Sequence, residues 1–381
     1  MAGLNKIMTY VIYGFLAFVV LLSSFADTVF SAASTASYAA IFLILVFISY
    51  ASGGRYNKYA LLYVMFLITA AACCYALIWN GFDHYILYVS ALLALVVVSF
   101  EQQHGVNVVE KALRVLIPIV LLLAVFEFVT ESYLFVLEKE GSVLDEKLFA
   151  GGGDLFRAKA SFYGPLTLGK FCILAAIITR KNNVFPVLCL LASITTQSRT
   201  AMGLCLVIVL YNSLHNDNFK TILLKLGGPI LAFLLFFPVE QISMDRIASG
   251  VDVTDNTNAA RAFYWITSIQ YYLTYDLLYL IFGNSGDWAS YSDGAPTESA
   301  VIYTLLEGGA FLLLLLLIPL VRAGLDREFW FYAVLIFIAG NVNMFFYGRM
   351  SSFFFMYVLL SEWMAKRERD KVGYTAADRS R

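Results

Sequence analysis

The feature that most limits what this chain can become is the recurrence of long apolar runs along nearly its whole length. The runs fall at about 7–24, 37–52, 59–79, 85–100, 115–136, 165–179, 184–196, 200–214, 222–238, 300–320, 329–346 and 351–364. Most hold roughly 16 to 22 residues, enough for a helix to cross a hydrocarbon core of about 30 Å. Inside lipid the backbone must satisfy its own hydrogen bonds within each segment, so such runs are helices. Only 14% of the 381 residues are charged, against about 25% in ordinary soluble domains, and the soluble class is thereby excluded. The expected fold is an all-α polytopic membrane protein of about twelve transmembrane helices, with residues 1–381 forming a single integral membrane domain. Met1 to Ser24 begins like a signal peptide but shows no clear small-residue cleavage site, and it reads as the first helix. The run at 184–196 is short and ends in polar residues, so it is expected to stop below the far surface.

Lys and Arg set the orientation. With the N-terminus in the cytoplasm, the inner segments hold Lys6, Arg55, Lys58, Lys111, Arg114, Arg180, Lys181, Lys220, Arg322, Arg327 and the basic tail 365–381. The outer segments hold Lys139, Lys147, Arg157, Lys159, Arg199, Arg246, Arg261 and Arg349. Both termini are therefore expected inside, with a large periplasmic loop at 239–300 and a smaller one at 137–164. If 263–282 were a further span, the odd count would carry the basic tail outside. That stretch, which includes Gln270 and Asp276, reads instead as an amphipathic helix on or dipping into the outer surface.

Several chemistries find no residues to support them. The cytoplasmic loops are too short for a nucleotide-binding domain, and neither a Walker-type phosphate loop nor a dinucleotide fingerprint is present. No nucleic-acid partner and no cofactor are expected. Cys73, Cys74, Cys172, Cys189 and Cys205 lie inside apolar runs without redox or metal spacing and read as small core residues. Asp252 and Asp255 lack the glycine and terminal glutamate of a calcium loop and read as solvated. No metal is expected. His84, His104 and His215 read as polar loop residues.

What remains is concentrated on the outer side, where the positive-inside rule disfavours cations. Arg157, Arg199, Arg246, Arg261 and Arg349 all fall there. Arg157 precedes Lys159 and, across Gly164-Pro165, Lys170, which sits about one turn into a span. Two readings are open. In one, the guanidinium forks line an outward cavity that takes a phosphorylated lipid head group. In the other, they anchor to lipid phosphates or pair with Asp154, Asp245 and Asp287. Glu298 in Pro296-Thr297-Glu298-Ser299 is either a helix-start carboxylate or a base for a sugar hydroxyl. Glu307-Gly308-Gly309 reads as a polar, close-packed position on the following helix. Phe263, Tyr264, Trp265, Tyr271, Tyr272 and Tyr275, beside Arg261, either stack on sugar rings or anchor the surface helix among headgroups.

The order of these features resembles the O-antigen polymerase and ligase superfamily. The resemblance rests on Arg261-Ala262-Phe263-Tyr264-Trp265, then Gly283-Asn284-Ser285-Gly286 and Glu298 before the next span. Upstream it includes Arg157-Ala158-Lys159-Ala160-Ser161-Phe162-Tyr163-Gly164-Pro165 and Thr196-Gln197-Ser198-Arg199-Thr200-Ala201. It covers about residues 150–320 and the overall topology. The resemblance implies transfer of glycans from undecaprenyl pyrophosphate at the periplasmic face of the bacterial inner membrane, without metal. A chain-length regulator in the membrane is the implied protein partner. Ligases of this superfamily carry a His before the late helix, and this chain has none in that loop, which favours a polymerase of the Wzy type over a ligase. A lipid-linked oligosaccharide flippase is a further alternative. In the polymerase reading, Arg261 and Arg199 stabilise the departing pyrophosphate, Arg157 and Lys170 steer a second pyrophosphate, and Glu298 orients or deprotonates the attacking hydroxyl. Lys159, Arg246, Arg349, Trp265 and Tyr264 complete the expected substrate contacts.

Overall fold

The structure is a computed structural model that describes residues 2–22, 46, 58–78, 85–136, 138–139, 142–143, 156–216, 256–284, 299–343 and 349–378. The expected spans at 37–52 (position 46 apart) and 222–238, the aspartates 252 and 255, Arg246 and Glu298 lie outside the described residues. So do the side chains of Arg261 and Arg349, whose helical backbone is described. The described chain is helical: α1 (Ala2–Leu21), α2 (Lys58–Ile78), α3 (Tyr85–His104), α4 (Val108–Thr130), α5 (Pro165–Ile178), α6 (Val184–Thr195), α7 (Arg199–Asn216), α8 (Asn256–Leu273), α9 (Leu277–Phe282), α10 (Ala300–Gly324), α11 (Trp330–Asn343) and α12 (Arg349–Asp378). An antiparallel pairing of two residues a side, β1 (Glu138–Lys139) with β2 (Ser142–Val143), lies between α4 and α5. Among the described residues three helices are long and apolar enough to cross a membrane: α3 over Leu87–His104, α4 and α10. Shorter apolar stretches occur in α1, α2, α5, α6, α11 and α12.

Two of the expected elements take a more specific form. The stretch 263–282 is two helices, α8 and α9, separated by a turn in which Thr274 and Tyr275 donate back to the carbonyls of Tyr271 and Tyr272. Neither is among the helices long and apolar enough to cross a membrane. At the other end of the chain, the basic segment after 365 continues α12 as helix to Asp378.

The chain forms two compact units. The first comprises Met1–Ser52, Gly105–Asp252 and Gly348–Ser351; the second comprises Gly53–His104, Val253–Tyr347 and Ser352–Arg381. In the first unit α6 packs on α4, α5 and α7, while α1 packs on α4 and α5 on α7. Gly169 of α5 lets Ala201 of α7 come close; a Cβ there would stand 2.9 Å from the Ala201 methyl. The helices run between two poles. At one pole meet the end of α1, the end of α4, the start of α5, the end of α6 and the start of α7. With 14 residues, α5 is about 21 Å long. With 12 residues, α6 is about 18 Å long. Both fall short of the ~30 Å hydrocarbon core.

In the second unit α10 is the central helix, packed on α2, α8, α9 and α11. Its N-cap is Ser299, whose Oγ accepts from the Ile302 N–H at 3.4 Å and donates to Asn341 Oδ1 at 3.1 Å. The helix is interrupted at Gly309, which has φ 68° and ψ −175°. The interruption is filled by backbone. Asn284 N–H donates to the Leu306 carbonyl at 2.8 Å, Gly283 (φ 78°) lies against the Glu307 carbonyl, and Gly309 lies against the Ile281 carbonyl. Any side chain at either glycine would meet main-chain atoms, and L-residues avoid this φ region. Elsewhere in the unit, Tyr357 OH donates to Glu101 Oε2 at 2.6 Å, and Tyr63 meets Trp363 edge-on at 5.3 Å between ring centroids.

Gly283→Ala and Gly309→Ala should each cost on the order of 2 kcal/mol or more, because strain and main-chain overlap add. Thermal unfolding of the purified protein in detergent reads this. Gly203→Ala, where a Cβ meets open space in α7, should leave the transition unchanged or raise it.

Candidate functional site

A single glutamate organises the polar pole of the first unit. Glu127 lies near the end of the apolar helix α4 and is fully buried. Its Oε2 accepts the backbone N–H groups of Lys159 at 2.9 Å and Ala160 at 2.7 Å, and its Oε1 accepts Leu134 N–H at 3.0 Å. The Glu127 carbonyl meanwhile accepts from Glu131, which closes α4 in the left-handed conformation, and from Ser132 at 3.3 Å. The two carboxyl oxygens thus receive three backbone N–H donors. One side chain thus ties together the end of a membrane-length helix, the loop that leaves it and the loop that precedes α5.

The Arg157 loop and the start of α7 were expected from sequence as two separate motifs. The structure joins them. Ala158 N–H donates to the Thr195 carbonyl at 3.0 Å, and Arg157 Nε donates to the Thr196 carbonyl at 3.0 Å. Gln197 Nε2 donates to the Phe156 carbonyl at 2.9 Å, and Tyr133 OH to the Arg157 carbonyl at 3.2 Å. Ser198 N–H reaches Thr196 Oγ1 at 3.0 Å, so the chain turns sharply before Arg199 opens α7. Ser161 Oγ donates to the Val20 carbonyl at 2.7 Å and docks the end of α1. Arg157 and Arg199 are half-buried. Lys159 is wholly buried, with Nζ donating to the Phe135 carbonyl at 2.7 Å and standing 5.1 Å from the centre of the Tyr133 ring. Lys170 is also buried, in the second turn of α5.

Backbone strain marks the same place. The non-glycine residues of positive φ among the described residues are Glu131, Ala160 and Gln197, at 49°, 52° and 51°. All three lie at this pole. For Glu131 the conformation is an ordinary helix C-terminal cap. Gln197 has the same role one residue past the Thr196 cap of α6, with its N–H on the Ile194 carbonyl at 3.0 Å. Ala160 follows no helix end, and its conformation costs about 1–2 kcal/mol. Strain of this kind persists where surrounding bonds over-determine it, and it gathers at functional sites.

The second unit holds the aromatic candidates. Trp265, Tyr271, Tyr272 and Tyr275 are partly buried against Ile302 and Leu306 of α10. Tyr275 meets Tyr271 and Tyr272 edge-on at 5.6 and 5.7 Å. Tyr272 OH donates to the Leu280 carbonyl at 2.6 Å, clamping α9 to α8, and burial pushes this hydroxyl above the usual tyrosine range. On the outer face of α8 and α9, Phe263, Tyr264, Ile266, Leu273 and Leu277 are exposed. Arg261 lies on α8 in this unit. Arg349 opens α12, whose residues to Ser351 belong to the first unit. Glu307 is buried in α10 beside the Gly309 interruption. Cys172, Cys189 and Cys205 are buried in α5, α6 and α7. Among the described residues no three His, Cys, Asp or Glu side chains group as metal ligands.

No protein-family model matches this chain, and no curated protein matches it.

Removing Glu127 strands three N–H groups at once, those of Lys159 and Ala160 buried. Glu127→Ala should therefore cost on the order of 3–5 kcal/mol and lower the yield of monodisperse protein. Glu127→Gln keeps one acceptor oxygen but turns an amide N–H₂ toward a donor, so about half that loss is expected. Parallel melts of the two variants in detergent check the order.

Proposed function

We propose that this chain is a multi-pass glycosyltransferase of the bacterial inner membrane that polymerises undecaprenyl-pyrophosphate-linked oligosaccharide repeats at the periplasmic face. In this reading about twelve helices cross the membrane and both termini are cytoplasmic. The observation that carries it is the convergence of Arg157, Lys159 and the Ser198-Arg199 helix start around Glu127. These residues lie far apart in sequence, and they meet where α5 and α6 stop short of a full membrane crossing. A charged pole at that depth is expensive unless it serves an anionic ligand or an ion path. The pyrophosphate of a lipid-linked glycan sits at the matching depth, and an Arg fork fits its oxygens.

The chemistry needs neither metal nor nucleotide, because pyrophosphate is already a competent leaving group. A hydroxyl of one lipid-linked repeat attacks the anomeric carbon of the growing chain on another. The new C–O bond forms as the bond from that carbon to pyrophosphate oxygen breaks, and the hydroxyl proton passes to a base. Negative charge grows on the departing pyrophosphate and is stabilised by fixed guanidinium groups. Arg199 and Arg157 take this role in the first unit, with Lys170 beside the start of α5. Lys159 is committed to Phe135 and the Tyr133 ring, so it holds the Arg157 loop in place. Arg261, Tyr264 and Trp265 remain the candidates of α8 for pyrophosphate and sugar, and Glu298 the candidate base, with Arg246 and Arg349 as further contacts.

In a strain lacking the gene, plasmids carrying Arg157→Ala or Arg199→Ala should fail to restore the lipopolysaccharide ladder although protein reaches the membrane. A loss of about 100-fold in polymer is expected for one oxyanion-stabilising donor. Core bearing a single repeat should remain. Normal ladders from both variants would overturn the assignment. Bare core with accumulated lipid-linked polymer would identify a ligase, and bare core with repeats held on the cytoplasmic leaflet a flippase.

A further inference from the structure

The opposite pole of the first unit carries a second cationic centre that the reaction above does not use. Lys111 and Arg114 stand one turn apart in the first two turns of α4, and both are exposed. Arg114 Nη2 is held by Glu110 Oε1 at 2.6 Å, and its guanidinium carbon lies 5.7 Å from the centre of the Phe185 ring in the first turn of α6. This contact brings α4 against the tight turn between α5 and α6. In that turn Asn182 N–H donates to the Thr179 carbonyl at 3.0 Å and Phe185 N–H to the Asn182 carbonyl at 3.2 Å. Arg180 Nη1 is turned onto the Ile177 carbonyl at 3.0 Å, and Lys181 is exposed. Lys6, also exposed, lies near the start of α1, whose other end docks at the Glu127 pole through Ser161. Glu110, the acidic partner within the cluster, is itself buried.

Depth decides what such a cluster meets. Arg114 precedes Glu127 by 13 residues of α4, about 20 Å of helix, and α4 is long enough to cross a membrane. The cations therefore lie where that helix enters the headgroup layer. Long cationic side chains at this depth keep their stems in apolar surroundings and their heads among phosphates. We propose that this pole binds the phosphate of an anionic phospholipid in the leaflet it faces, with Lys111, Arg114 and Lys181 as the contacting side chains. The site is separate from the glycan-transfer centre and does not depend on that reading.

The test is native mass spectrometry of the full-length protein titrated with phosphatidylglycerol and, separately, phosphatidylcholine. Phosphatidylglycerol adducts should persist at collision energies that strip phosphatidylcholine, and they should weaken as salt rises. The double variant Lys111→Gln, Lys181→Gln should lose about tenfold in affinity for phosphatidylglycerol and none for phosphatidylcholine. It leaves the Glu110–Arg114 pair intact, so folding is preserved, and a matching melt checks that. Equal retention of the two lipids, or an unchanged double variant, would overturn the proposal. So would full competition by free glycerol 3-phosphate, which would mark a site for soluble anions.

Discussion

The polar pole of the first unit depends on one buried carboxyl group receiving three backbone N–H bonds. Desolvating a carboxylate costs several kcal/mol even after relaxation. At Glu127 part of that cost is offset by the hydrogen bonds from Leu134, Lys159 and Ala160. The donors are main chain, so the glutamate fixes backbone. Arg157 and Arg199 are then placed relative to each other by the bonds that run from 156–158 to 195–197. The Arg157 side chain is itself fixed by the bond from its Nε to the Thr196 carbonyl.

The second unit reaches rigidity by different means. There the close fit is backbone against backbone at Gly283 and Gly309, and Tyr272 clamps α9 through the Leu280 carbonyl. The interruption of α10 frees peptide groups inside an otherwise apolar helix, and the Leu306 carbonyl is satisfied by Asn284. Irregular backbone within such a helix is tolerated where protein covers it. The buried Glu307 beside it shows that this position is polar as well as close-packed.

Much of this was legible in the sequence, for reasons that can be named. Apolar runs set the helices, and most of the described ones fall where hydropathy puts them. The Arg157 segment and the Thr196–Arg199 segment were recognisable as polar interruptions on the cation-poor side. That they touch was not legible, because the bonds joining them are made largely by backbone carbonyls, which every residue offers. Glu127 escaped for the same reason: a lone glutamate in a run such as 115–136 carries no sign of its partners when those partners are peptide N–H groups. The break between α8 and α9 also left a weak trace. No glycine or proline marks it, and Asp276 read as part of a polar helix face whereas its extended backbone stands at the start of α9. Gly308 and Gly309 did announce a close approach, though not which segment would make it.

The geometry at Glu127 also bears on how the chain is made. The last of its donors, Ala160, lies 33 residues further along the chain. Glu127 leaves the ribosome while Ala160 is still enclosed in the exit tunnel. The helix must therefore be accepted with a bare carboxyl group near its end, a penalty that its apolar body is long enough to outweigh. Only when the loop before α5 emerges can the acid be buried. Completion of the pole is in this sense a late event of biogenesis, and quality control would meet an unfinished chain as one whose Glu127 is still exposed to water or headgroups.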